Sequence, residues 1–451
     1  GIKYSLILHP GADVSQVKMK YDDNEKISLN NKGIISITTK FGDIIDHPPL
    51  SFYSNNKENI VESEFVKNNN IVSFSIGNYD HSKTVVIDPW VQTPALANSN
   101  GVWECEKDGA GNVYIIGGDM PMILQKYNSA GAWQWTYNTP WDTAGYWLGT
   151  LATDFSGNCY VTAGSLAKIQ KISTSGALVW NNTGGAFDEY WNITFNCDQT
   201  KLITGGTRIV GFPSPTGDGV IFDINTSNGN ITSMKTVGYT RPYTITLPPP
   251  FGSQSVTDIN EVRSISSSRN AKYYYLTLET VGYINQDLPS CNNALPYVIN
   301  STYSLGYKCE NFRPDNGNSG IMAIRANGNF VYTQNGSAIH KRSLFNLAIL
   351  SSAAIPGGIS TSIANTTPTI YQPGNSGIDI DSCGNVYVGS ANAVIKYDVD
   401  LNFITSVATP FSVFDVAVSY NGDIIICGAT GTSSSISRTG YVQSINMSAC
   451  V

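Results

Sequence analysis

The sequence predicts an all-β chain dominated by a seven-bladed β-propeller, preceded by a small N-terminal β domain. Three observations predict it. Only 14% of the 451 residues are charged, while 11% are aromatic and 42 are Gly. That mixture suits many short strands joined by tight turns rather than helices. One unit of strand, polar turn and strand recurs along most of the chain. A ring of such repeats is also one of the few architectures that uses a length of this order as a single unit.

The repeat is clearest in VWECEKDGAGNVYIIGG (Val102–Gly118), LGTLATDFSGNCYVTAG (Leu148–Gly164) and GIDIDSCGNVYVGS (Gly377–Ser390). Looser copies begin at Asn192, Val262, Ile321 and Phe414, which makes seven. Each copy alternates apolar and polar residues on both sides of a short turn. Asp108, Asp154 and Asp381 open such turns and read as caps on the hairpin N–H groups rather than as calcium ligands. Gly-Asn supplies the positive-φ positions that a tight hairpin needs. Two further strands follow most copies, such as Met122–Tyr127 and Ala132–Tyr137 around NSAG. Four antiparallel strands per repeat make a propeller blade. The last copy stops one strand short, and PWVQTPALA before the first copy resembles an outer strand. Residues 89–451 therefore read as the propeller. The segment 89–95, with Trp90–Thr93 at its heart, supplies the missing strand and removes the open edge.

Residues 1–88 lack the repeat. Segments such as KYSLILH, GIISITTK and NIVSFSIG alternate with turns, which reads as a sandwich-like β domain. The chain opens directly on one strand-like segment and stops just after another, so both ends read as cuts through a longer protein.

Charge and cysteine usage narrow the function classes. The net charge is −7 with no basic stripe, so nucleic acid is not an expected partner. No run of 18 apolar residues occurs, so no transmembrane segment is expected. The eight Cys include no CxxC pair, and only four His are present; neither a metal site nor a cofactor is expected. Low charge and an even Cys count point to an oxidising, extracellular setting. Cys291 and Cys309 bracket a long excursion and form the first candidate disulfide. Cys159 with Cys197 and Cys383 with Cys450 are further candidate pairs between neighbouring blades. Cys105 and Cys427 read as core thiols.

Two regions together carry a family resemblance. HPGADVSQVKMKYDDNEKISLNNKG with NYDHSKTVVIDPWV resembles the N-terminal domain that precedes SBBP-type propellers in bacterial surface proteins. GIDIDSCGNVYVGS and FDVAVSYNGDIIICGATGTSSSISRTGYVQSINMSAC resemble the propellers of gliding-motility-associated proteins of Bacteroidota. The resemblance implies export by type IX secretion and display on the outer cell surface. No catalytic residues are established for such proteins, so none carries over.

In a four-stranded blade the first and third turns leave one face, and the other connections leave the opposite face. The first-turn loops are short (DGAGN, DFSGN, SYNGD), whereas the insertions 207–218, 238–260, 279–296, 356–376 and 430–439 read as loops of the opposite face. Long loops on a rigid scaffold commonly carry binding. That face is expected to present Trp141, Tyr146, Arg208, Phe212, Arg241, Tyr243 and Phe251 to a surface glycan, a protein partner or other domains of the same chain. The expected function is a non-catalytic extracellular binding or structural module in adhesion, gliding motility or a surface filament. The alternatives are a propeller enzyme acting on glycans and a pure spacer. Inner-strand acids are few (Glu104, Glu106, Glu261, Asp379, Asp415), without a common spacing, and His340 is the only His of the propeller. Paired channel carboxylates about 5–10 Å apart would support the enzyme.

Overall fold

A computed structural model describes residues 6–450. It leaves out 97–100, 142–149, 211–215, 238–242, 247–252, 257–261, 286–307, 310–322, 359–376, 431–438 and a scatter of shorter positions. Among the described residues, seven four-stranded antiparallel sheets follow one another along the chain. Their innermost strands are Val102–Lys107, Leu151–Thr153, Asp188–Phe195, Val262–Ser268, Ala323–Ala326, Ile378–Ile380 and Ser412–Val418. They are called here the inner strands of sheets one to seven. Each touches the inner strand of the next sheet, and that of sheet seven touches that of sheet one. The sheets therefore form a closed ring around a central channel.

Closure is local and specific. The outer strand of sheet seven is Val91–Gln92, paired antiparallel to Thr439–Ile445 with Val91 opposite Gln443. Trp90 lies outside the described residues. The disulfide between Cys383 and Cys450, 67 residues apart in sequence, ties the first turn of sheet six to the C-terminal segment.

The apolar alternation of the repeat packs sheet against sheet. Trp103, Met122, Leu151, Val161 and Phe414 share one core, with residues from sheets seven, one and two. Tyr332, Ile378, Val388 and Ile395 share another between sheets five and six. Outer strands show the opposite pattern: Trp133–Asn138 and Leu178–Thr183 alternate between exposed and half-buried residues.

A bulge recurs at the start of four inner strands. The register slips between Val102 and Glu104, Tyr190 and Asn192, Val262 and Ser264, and Val413 and Asp415. Bulges re-aim side chains and increase local twist. The extra residue in three of them is a buried aromatic, Trp103, Trp191 or Phe414. The residue just after the slip reaches the next inner strand. Glu104 Oε2 accepts from Leu151 N–H (2.9 Å), Asn192 Oδ1 from Ile265 N–H (2.9 Å), Ser264 Oγ from Ile324 N–H (3.3 Å) and Asp415 Oδ2 from Cys105 N–H (3.0 Å). In sheets one, three and seven the glycine opposite the slip makes room. A Cβ on Gly206 or Gly428 would run into the carbonyl of Glu189 or Ser412.

The turn aspartates cap their hairpins. Asp108 Oδ1 accepts from the N–H groups of Ala110 (3.0 Å) and Asn112 (2.9 Å), and Oδ2 from Asn112 Nδ2 (2.7 Å) and the Tyr114 hydroxyl (2.9 Å). Asp154 repeats most of the set with Asn158 and Tyr160, and Asp381 with Cys383, Asn385 and Tyr387.

The N-terminal region contains a hydrophobic core. Its strands form three small sheets, and Leu8, Ile27, Ile35, Ile37, Phe65, Val72, Phe74, Val85 and Ile87 share one core. Among the described residues no helix is long and apolar enough to cross a membrane.

Candidate binding site at the centre of the ring

Three side chains occupy equivalent places on their inner strands, two residues before the turn-opening Asp or Asn: Glu106 before Asp108, Arg325 before Asn327 and Asp379 before Asp381. Strand alternation gives them a common direction, and all three line a central cavity of about 730 Å³. Lys107 joins them. Its Nζ lies 3.2 Å from Asp379 Oδ2 and 3.9 Å from Glu106 Oε2. Arg325 Nε lies 3.3 Å from Asp379 Oδ1. The Val418 N–H also donates to Asp379 Oδ2 at 2.7 Å. The charged wall thus comes from sheets one, five and six. Ala152, Thr194 and Ser266, from sheets two, three and four, make the opposite wall small and hydroxylic.

The two acids of this wall titrate in opposite directions. Burial alone would raise Asp379, but Lys107 and Arg325 beside it, with the Val418 N–H, hold its carboxyl below the usual range. Burial pushes Glu106 up despite Lys107 and Arg325. One layer deeper, burial and then the neighbouring Asp415 charge push Glu104 well up. Burial, helped by Glu106, raises Asp415 to about 7.

This cavity is on the face of the first turns. Asn196, Cys197, Asp198 and Gln199 of sheet three line its mouth, with Arg269, Asn327 and Ser382 from other first turns. Of the residues expected on the opposite face, Trp141, Arg208 and Tyr243 fall among the described residues. Trp141 is 3% exposed and packs with Trp103 and Leu151, because its indole fills the seam between sheets one and two. Arg208 is exposed on strand Lys201–Val210 with Nη1 3.1 Å from Met234 Sδ. Residues 207–210 and 216–218 of the expected loop lie on paired strands, Lys201–Val210 and Thr216–Asn225. Tyr243 lies on strand Tyr243–Thr246, paired with Ser253–Val256. Tyr146, Phe212, Arg241 and Phe251 lie outside the described residues. Segment 279–296 is also reassigned, since Thr280–Asn285 is the third strand of sheet four and Lys308–Cys309 its fourth.

The cysteines divide differently from the expected pairs. Cys159 is a free, buried thiol inside the core between sheets one and two, 3.7 Å from Thr153 Oγ1. Cys197 sits at the cavity mouth and is disulfide-bonded, to a residue other than Cys159. Cys159 is enclosed in the core on its strand while Cys197 is on a turn at the cavity mouth, so that pair does not form. Cys291, and with it the expected Cys291–Cys309 pair, lies outside the described residues. Cys105 and Cys427 are free and buried, and burial raises the Cys427 thiol to about 11.

A streptogramin B lyase is 12% identical over 79% of this chain and 97% of its own, with a TM-score of 0.50. The fold is β-propeller-like. The WD40 domain of Neurospora crassa Pan2 is 9% identical over 78% of this chain and 91% of its own, with a TM-score of 0.48. A catalytically inactive virginiamycin B lyase from Staphylococcus aureus, solved with quinupristin, is 12% identical over 78% and 99%, with a TM-score of 0.49. Residues 1–90 match a family model described as a domain of unknown function, DUF7948. No curated protein matches the chain.

The residues missed from sequence were Lys107 and Arg325. The acids do recur in register once counted from the turn rather than along the chain. Glu104 and Asp415 stand four residues before the turn openers Asp108 and Ser419, and Glu106 and Asp379 stand two before theirs.

Proposed function

We propose that the ring is a seven-bladed propeller serving as a non-catalytic extracellular binding module of a bacterial surface protein of the adhesive or gliding-motility kind, and that its ligand is a glycan held in the central cavity. One observation carries this reading: a roomy channel mouth with hydroxyl and amide groups on one wall and a fixed, internally paired set of charges on the other. Hydroxyl, amide and paired ionic groups match the many hydrogen-bonding groups of a sugar, and Phe195 at the rim offers a ring face. The Cys383–Cys450 bridge supports an oxidising location. The test is a glycan array and pull-down with the intact chain, repeated with Arg325→Ala and Ser266→Val. Captured glycans should be lost in both. Capture that survives both changes, or no capture at all, overturns the reading.

A specific observation also favours an enzyme. Glu106 and Asp379 share Lys107, so their oxygens are no more than about 7 Å apart, within the range of carboxyl pairs that cleave glycosides. Their opposed titration resembles an acid and base assignment. Against it, the Asp379 oxygens are already engaged by Lys107, Arg325 and the Val418 N–H, which leaves no free base. Release of reducing ends from a captured glycan, abolished by Glu106→Gln, would decide for the enzyme.

A further inference from the structure

The layer of the channel beneath the cavity is built from residues four before each turn opener, among them Glu104, Thr150, Asn192 and Asp415. Three of these carry a buried polar atom without a hydrogen-bond partner: Glu104 Oε1, Thr150 Oγ1 and Asn192 Nδ2. Glu104 is 2% exposed, and Thr150 and Asn192 are 0% exposed. They come from three consecutive sheets at one repeat position. In two of them the other polar atom is already bound to the next inner strand, Glu104 Oε2 to Leu151 N–H and Asn192 Oδ1 to Ile265 N–H. Those bonds hold both side chains along the inner edge of the ring. Orphaned buried polar atoms are costly, about 1–3 kcal/mol each, and three at one level of a channel point to a shared guest.

The charges say what kind of guest. Among the described residues, Lys107 and Arg325 are the cations acting on Glu104, Glu106, Asp379 and Asp415. With all six ionised, two negative charges are left over in a buried channel. Asp415 already accepts one backbone N–H on each oxygen, from Cys105 and Gly377, a pattern that suits the carboxylate form. Two protons would neutralise the excess but leave the donor Asn192 Nδ2 unpartnered. Water alone would satisfy Thr150 and Asn192 and leave the charge. A divalent cation with part of its hydration shell does both. Carboxylate and hydroxyl oxygens are the ligands such ions prefer, and a retained water can accept from Asn192 Nδ2.

We propose that the neck of the channel binds one divalent, oxygen-preferring cation between Glu104 and Asp415, with Thr150 as a further ligand and a coordinated water on Asn192. This site is separate from the glycan cavity above it and does not rest on that reading.

The intact chain is stripped with a chelator, dialysed and titrated with calcium chloride and with magnesium chloride by calorimetry and thermal unfolding. One ion should bind per chain and raise the unfolding temperature. Glu104→Gln, which keeps the shape and the Leu151 contact, should weaken binding at least tenfold; Thr150→Val should weaken it severalfold. If Glu104→Gln does not fold, Thr150→Val alone decides. Failure of both cations to bind overturns the proposal, as does unchanged affinity in the folded variants, which would place the ion elsewhere. Stabilisation by Glu104→Gln equal to that of the metal, without metal uptake by the wild type, would assign neutralisation to protons instead.

Discussion

Replacing Asp108 tests how the repeat is held together. Its carboxylate accepts four hydrogen bonds, from two backbone N–H groups, Asn112 Nδ2 and the Tyr114 hydroxyl. Asp108→Ala removes all four. The turn N–H groups can recruit water in part, at roughly 0.5–1 kcal/mol each. The Tyr114 hydroxyl belongs to a fully buried residue, and stranding it costs about 1–3 kcal/mol. The expected loss is about 3–4 kcal/mol, read by urea unfolding at constant m. Asp108→Asn keeps the acceptor for both N–H groups but turns the second oxygen into a donor facing two donors, so about 2 kcal/mol should be lost. Tyr114→Phe removes one of those donors. Asp108→Asn should therefore cost less by about 1 kcal/mol in the Tyr114→Phe background. Costs that simply add across this cycle, or an Asp108→Ala variant within about 0.5 kcal/mol of the wild type, would refute the cap as a four-bond unit.

Three further outcomes follow from the same geometry. Cys383→Ser should lower stability by about 4 kcal/mol in the chain-entropy model for a loop of this length, and reductant should produce the same loss in the wild type but none in the variant. Gly428→Ala should cost about 3 kcal/mol or prevent folding, because its Cβ meets the Ser412 carbonyl and backbone cannot yield as a side chain can; Gly11→Ala, at a positive φ of 78° with open space around it, should cost less. With a chelator present, stability should fall as pH rises from about 4 towards about 7. Asp415 is raised to about 7 in the folded chain, so the folded state holds its proton after the unfolded chain has lost it; the slope is up to about 1.4 kcal/mol per pH unit for each such proton. Asp415→Asn should reduce that slope, which unfolding curves at several pH values would show.

The ring was legible because its local rules are strong. Strand alternation, the Asp-x-x-Gly-Asn turn and the short final unit each have one physical cause, and each is visible within about ten residues of sequence. The Tyr six residues after the turn Asp was equally visible and passed unread. Tyr114, Tyr160 and Tyr387 all bond back to the Asp that opens their turn. In sheet five the opener is Asn327, and Tyr332 turns instead to the Val399 carbonyl. Trp141 misled because an aromatic in a loop has the same one-letter appearance whether it meets solvent or fills a seam. Arg325 was hidden for another reason. It belongs to a loose copy of the repeat, and its partners Asp379 and Glu106 are distant in sequence, so only the closed ring brings them together.

The inner-strand bulge links these observations. The extra residue of the bulged inner strands wedges Trp103, Trp191 or Phe414 between sheets in three of them and turns the following side chain onto the next inner strand in all four. That side chain must accept a hydrogen bond, but Ser, Asn, Asp and Glu all do so. Ser264 and Asn192 meet the requirement without charge in sheets four and three, whereas Glu104 and Asp415 meet it with a carboxylate in sheets one and seven. A neutral acceptor would close the ring equally well and avoid the desolvation of a buried charge. Closure therefore explains why position four before the turn is polar, and does not explain why two neighbouring sheets place acids there. The excess charge at the neck needs a cause outside the folding of the ring, and a bound cation supplies one.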